Sequence, residues 1–127
     1  MARAETPGIS PFFIVADAPA SVAFYRDRLG FEVTFQPPPP DDFFAIVVRD
    51  GAQLFLKGAG EPAPNPQRYG WARWDAYVHA PDPDALAAEF QAAGAAFSSP
   101  LQDTHDGLRG FEVTDPDGYV LFFGRPR

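Results

Sequence analysis

The chain reads as an α+β domain built from two βαβββ copies, and three observations predict this. Residues Phe44 to Leu56 align without a gap on Phe111 to Phe123, at a constant offset of 67 residues. Asp50-Gly51 falls on Asp117-Gly118 and Leu54-Phe55 on Leu121-Phe122, so both copies read as strand, Asp-Gly turn, strand. Upstream, Ile14 to Ala16 before a helix closed by Gly30 matches Val78 to Ala80 before a helix closed by Gly94, at an offset of 64. The three-residue difference falls between Gly30 and Phe44, where a loop absorbs it cheaply.

Local signals justify each element in turn. Asp17 is placed to cap the first helix, and Pro19 suits a first turn where its missing N–H costs nothing. Val22, Tyr25 and Leu29 recur at helical spacing, and Gly30 supplies the left-handed residue that ends the run. Phe31, Val33 and Phe35 alternate as in a half-buried strand, and the meander through the Asp50-Gly51 turn completes the first copy. In the second, Asp82 precedes Pro83, while Leu86, Phe90 and Ala93 share a face that Gly94 closes. One such copy cannot bury a two-sided core alone, so the two sheets are expected to combine around a shared interior. This divides one domain into a first module of about residues 9–60, a Pro-rich linker at 61–71, and a second module of about 72–127.

At 127 residues the chain is one domain by size. It has no Cys, which excludes disulfides, thiolate metal sites and cysteine nucleophiles. Ten basic residues stand singly within a net charge of −7, so a phosphate backbone would be repelled and nucleic-acid binding is not expected. The same acidity suits a cationic ligand, or serves solubility alone. Met1 to Ser10 has neither a basic segment nor an apolar run, and no stretch is long enough to span a membrane. A soluble, cytoplasmic protein is the expectation. Pro37 to Pro40 predict a stiff, extended spacer before Asp41 and Asp42, and Glu61 to Pro66 joins the modules ahead of Tyr69, Gly70 and Trp71.

The helix end Phe24-Tyr25 to Leu29-Gly30-Phe31 resembles the helix-and-turn signature of the vicinal oxygen chelate superfamily, which includes glyoxalase I, extradiol dioxygenases, and fosfomycin- and bleomycin-resistance proteins. Asp115-Pro116-Asp117-Gly118 before a short apolar strand resembles its second signature. Trp74-Asp75 to Val78, with Pro81 to Leu86, resembles the opening of its second module. The resemblance covers about Ile9 to Arg125 and implies a cupped, eight-stranded mixed sheet, usually in a homodimer. Its motifs specify a fold that hosts both enzymes and pure binders.

The resemblance also implies where a divalent metal would sit in the enzymes, with ligands from the first and fourth strand of each module. Those positions are Ser10, Phe55, Asp75 and Phe122 here. Phenyl rings carry no lone pair, and one carboxylate with one hydroxyl is a poor set for a transition metal. The expectation is therefore no metal, no cofactor and no catalytic residue of the usual kind. Asp75 and His79 share a strand and an alternation, which leaves open an atypical metal site or an acid–base pair; the plainer reading of His79 is a rim histidine. His105 sits in a polar loop between Asp residues, and Glu112 is read as pointing away from the cup to solvent.

The aromatic side chains remain. Phe12, Phe44, Phe55, Trp74, Tyr77 and Phe122 line either a concavity or the helix-packed side, depending on strand parity, with Trp71 and Trp74 at the junction of the modules. Asp41 to Asp50 followed by Leu54-Phe55 is similar to the corresponding segment of the bleomycin-resistance type, which implies sequestration of a cationic, flat aromatic drug without chemistry. The expected ligand-binding set is Asp42, Phe44, Phe55, Trp74, Asp75, Tyr77 and Phe122, the rings for stacking and the two carboxylates for positive charge. The expected partner is a small aromatic or cationic molecule, in a homodimer. A glyoxalase- or dioxygenase-like enzyme with an atypical metal site, and a scaffold that holds no ligand, are the alternatives.

Overall fold

The computed structural model of the protein describes residues 2–65 and 69–127. The first module runs β1 (Phe12–Ile14), α1 (Ala18–Leu29), β2 (Glu32–Phe35), β3 (Phe44–Arg49) and β4 (Ala52–Lys57). The second runs β5 (Ala76–His79), α2 (Pro83–Ala92), β6 (Phe97–Asp103), β7 (Leu108–Thr114) and β8 (Val120–Pro126). The eight strands form two hydrogen-bonded sheets of four, ordered β1-β4-β3-β2 and β5-β8-β7-β6. Each sheet is mixed, since β1 runs parallel to β4 and β5 to β8 while the meanders are antiparallel. The two modules are related with one correction to the expected repeat: Phe12 lies opposite Phe55 and Tyr77 opposite Phe122, so the opening strands match at an offset of 65 (77 − 12) and not the expected 64.

Both helices begin as their sequences dictate. The Asp17 carboxylate accepts from the Ala20 amide and Asp82 from the Ala85 amide, each at 3.1 Å, and each helix carries proline in its first turn. Gly30 ends α1 with φ of 68°, where a side chain would be strained. Ala18, Val22, Tyr25 and Leu29 of α1 are buried, as is Phe90 of α2. Facing them from the sheets are Ala45, Val47, Leu54 and Leu56, and Phe111, Val113, Leu121 and Phe123. These form one core across both modules. Successive residues of a strand face opposite sides of the sheet, so Phe44, Phe55, Glu112 and Phe122 all face away from the helices.

Three details depart from the sequence reading. Only Phe31 of the Phe31–Val33–Phe35 alternation is buried; β2 is an edge strand with a bulge between Val33 and Phe35, and it leaves Phe35 exposed. The proline run turns instead of extending, since the Asp41 amide donates to the Pro38 carbonyl at 3.0 Å. The two Asp-Gly turns also differ. Asp50 itself takes the left-handed conformation, with φ of 51°, in a two-residue turn, whereas Asp115 to Tyr119 fold around the Asp115 carboxylate, which accepts from the Asp117 and Tyr119 amides.

That second turn joins the modules. The Asp117 carboxylate accepts from the Ala16 amide and the Ser21 hydroxyl, Tyr25 donates to Asp115 at 2.7 Å, and Tyr119 donates to the Ile14 carbonyl at 2.6 Å. The Tyr119 ring stacks on Phe13 at 4.1 Å. At the far end Arg49 reaches from β3 to Glu89 of α2 and to the Leu29 carbonyl that ends α1. The expected linker lies partly outside the described residues; within them, the Ala63 amide donates to Tyr119 and the Asn65 amide to Asp75. No helix of the described residues is long and apolar enough to cross a membrane.

Candidate functional site

The outward-facing residues gather into two aromatic patches, one per module. On the first, parallel pairing sets Phe12 beside Phe55, and the β3–β4 hairpin sets Phe44 on the same face. Phe55 lies 5.8 Å from Phe44 and 6.2 Å from Phe12, and Phe35 adds its ring 5.9 Å from Phe44. Phe12 is 55% exposed and Phe35 48%, far more than rings of a settled core. Lys57, opposite Phe44 on the hairpin, holds its ammonium 5.6 Å over that ring and 5.4 Å over Phe43. Asp42 lies half-buried in the turn before β3 and makes no hydrogen bond or ion pair among the described residues.

On the second patch the rings are layered. Phe122 is expected in the sequence as part of a pocket surface, yet it is only 3% exposed. Trp74 stacks on it at 4.2 Å and Tyr77 at 5.6 Å, so they present the surface and Phe122 is the base beneath. Trp74 is held by a carboxylate. Glu112, expected at a solvated face, is 4% exposed and lies across from Phe122 on β7. It accepts from the Trp74 indole at 3.0 Å, from Ser98, and from Arg73 through two guanidinium nitrogens. Glu112 in turn pushes the Arg73 pKa up, and the half-exposed guanidinium covers the buried carboxylate in an ion pair. Burial raises the Tyr77 phenol, which keeps it a neutral hydroxyl at the patch edge.

Asp75 does not serve as a free anionic group. Its two oxygens accept from the Asn65 amide at 2.6 Å and the Val120 amide at 2.8 Å, fastening the chain before β5 to the start of β8. His79 is four residues further on, about 13 Å along an extended strand, and its ring packs edge-on against Tyr77 at 5.0 Å. The Asp75–His79 acid–base or metal pair is therefore not brought together. His105 sits in the exposed turn between β6 and β7.

The four positions that the enzymes would use for a metal do not fit one. Phe55 and Phe122 offer no donor atom, the Ser10 hydroxyl accepts from Gln53 at 3.1 Å, and Asp75 is occupied by backbone amides. Among the described residues no three His, Asp or Glu side chains are grouped to hold an ion.

Between the modules runs a groove of about 630 Å³. The β3–β4 turn, with Arg49 and Gln53, forms one wall, and the open edge of β5 with Tyr77 and His79 forms the other. Of the expected set only Asp75 and Tyr77 line it; Phe44 and Phe55 belong to the first patch and Trp74 and Phe122 to the second. Among the described residues no ring contact joins the two patches. Sequence reasoning missed Lys57, Phe35, Arg73 and Glu112. The hairpin register was the available signal, because a two-residue Asp50-Gly51 turn puts Lys57 opposite Phe44.

The matched family agrees with this geometry. The profile of the glyoxalase/bleomycin resistance protein/dioxygenase superfamily matches residues 9–123. The chain belongs to this superfamily. Among solved structures it is similar to the bleomycin-binding protein from bleomycin-producing Streptomyces verticillus complexed with copper(II)-bleomycin, at a TM-score of 0.70 and 28% identity over 98% of this chain and 100% of that one. It shares its fold with TioX from Micromonospora sp. ML1, at a TM-score of 0.75 and 24% identity over 96% of this chain and 100% of that one. The same holds for TnmS3, an antibiotic binding protein from Streptomyces sp. CB03234, at a TM-score of 0.70 and 22% identity over 100% and 99% of the two chains. No curated protein sequence matches the chain.

Proposed function

We propose that this superfamily member is a metal-free binding protein that holds a flat aromatic small molecule between its ring patches and sequesters it unchanged. One observation carries the reading: where the enzymes of this lineage would need ligand atoms, the chain has Phe55 and Phe122, each at the centre of an aromatic cluster. Rings arranged this way offer apolar area and π-faces to a planar ligand. The ligand-contacting residues in this reading are Phe44, Phe55, Trp74 and Tyr77, with Phe122 supporting the last two from below. A homodimer completes the site, the first patch of one copy closing on the second patch of another. Sequestration of a bleomycin-type drug is the sharpest form of the proposal, and the 28% identical bleomycin-binding protein supports it.

The test is equilibrium dialysis with two probes, copper(II)-bleomycin and the neutral planar 2-(hydroxymethyl)anthraquinone. Saturable binding of at least one is expected, and Phe55→Ala and Trp74→Ala should each weaken it about tenfold, the effect of losing one stacked ring with its buried area. Sedimentation should give a dimer at the same concentrations. If neither probe binds the unaltered protein, the proposal fails.

A further inference from the structure

We propose that Lys57 sets the charge of the ligand, and that the molecule held is a flat aromatic acid, one whose ring system bears a carboxylate or a similarly anionic group. This rests on the aromatic-binding reading above in its general form, not in its bleomycin-type form with a cationic drug, and it reverses the charge expected from the sequence. Of the expected cation attractors, Asp75 has both oxygens committed to backbone amides, while Asp42 stays unpaired among the described residues in the turn before β3, outside ion-pair distance of Lys57. On the second patch the charges of Arg73 and Glu112 cancel in one bidentate pair. On the first, Lys57 has no carboxylate within ion-pair distance among the described residues. It is the one uncompensated ammonium set among the rings.

Its placement argues against a role in solubility or edge protection. Lysines that guard sheets stand on edge strands, but β4 is flanked by β1 on one side and β3 on the other. The side chain emerges between Ile14 and Phe44, and its ammonium lies against Phe43 and Phe44 instead of extending into water. An ammonium held against ring faces without a counter-ion is left to pair with an anionic group carried by a ligand that stacks there. The net charge of −7 opposes this only at long range, since exposed charges beyond about 8–10 Å are screened at physiological salt.

Three probes of one shape test the proposal: anthraquinone-2-carboxylate, neutral 2-(hydroxymethyl)anthraquinone, and the corresponding trimethylammonium-methyl compound, each followed by equilibrium dialysis at 0.15 M salt, roughly physiological ionic strength. The unaltered protein should bind the carboxylate about tenfold tighter than the neutral probe, the scale of one charge-assisted contact, and the cation most weakly. Lys57→Met should erase that preference, Lys57→Arg should keep most of it, and Lys57→Glu should favour the cation. Equal or tighter binding of the trimethylammonium probe by the unaltered protein overturns the proposal, because Lys57 then only occupies a cation box formed by the rings. A preference that survives Lys57→Met overturns it too. Neutral-probe binding without any charge preference sinks this inference and leaves the aromatic-binding reading standing, no binding of the three anthraquinones sinks this inference alone if copper(II)-bleomycin binds, and no binding of any of the four sinks both.

Discussion

Phe122 owes its position to two glycines. Gly110 and Gly124 are a cross-strand pair on the outer face, and the Phe122 ring lies over both, leaving no room for a Cβ at either. A Cβ at Gly110 would stand 2.6 Å from that ring and closer still to the Phe123 carbonyl oxygen. Gly110→Ala should therefore destabilise the protein by about 2 kcal/mol in denaturant melts, as overpacking does, while Gly51→Ala, which meets nothing within 4 Å, should change it by about 0.5 kcal/mol or less. At this scale the sequence was legible in residue type and misleading in exposure. That rings stand at positions 55 and 122, where the resemblance to the superfamily implies ligand atoms, is legible in the sequence. That Phe122 is a covered base, and that Asp75 spends its carboxylate on the Asn65 and Val120 amides, depends on which backbone donors end up beside each side chain.

Between elements, the outer face of β7 and the segment before β5 form a unit. Glu112 on β7 ties down Arg73 and Trp74, and Trp74 then covers Phe122 on β8. The pair is costly to break from one side, since neutralising Glu112 weakens the charge-assisted bonds that it accepts from Arg73 and Trp74 in a buried position. In a Trp71→Phe background, so that Trp74 alone reports, Glu112→Gln should move the emission to longer wavelength and cost about 2 kcal/mol of stability. Unchanged emission would mean that packing on Phe122 suffices to hold the indole. Glu112 was misread in both side and cover: it was expected to point away from the cup, whereas its pairing with Phe122 sets it on the same face as that ring, and there it is covered. The covering residues, Arg73 and Trp74, come from a segment almost forty residues earlier.

Across the whole molecule, the modules are locked by a turn that carries a buried acid. Burial pushes Asp115 up to about 6, against the lowering effect of the Tyr25 hydroxyl and the Tyr119 and Asp117 amides. Its ordinary value is 3.8, so the folded state favours the protonated acid. The resulting stability is fully present below the unfolded value and is lost as pH rises through about 6. Thermal melts should therefore show the midpoint rising by about 5 °C as pH falls from 7 to 5, with Asp115→Asn abolishing the slope. The exposed Glu89 and Asp84 carboxylates, lowered by Arg49 and Arg109, stay ionised over that window and do not mask it. A midpoint that falls on acidification would show that the three donors, not burial, govern Asp115.

By itself the sequence determined the repeat, the helix caps and the β3–β4 turn, because each depends on residues near in the chain or on a fixed offset, and the family resemblance added that rings stand at two implied ligand positions. The tertiary structure decided which rings are surface and which are base, which carboxylates remain available, and where an unpaired ammonium stands. Those outcomes depend on contacts between segments distant in sequence, and a buried polar group takes whatever partner the fold places within about 3 Å of it.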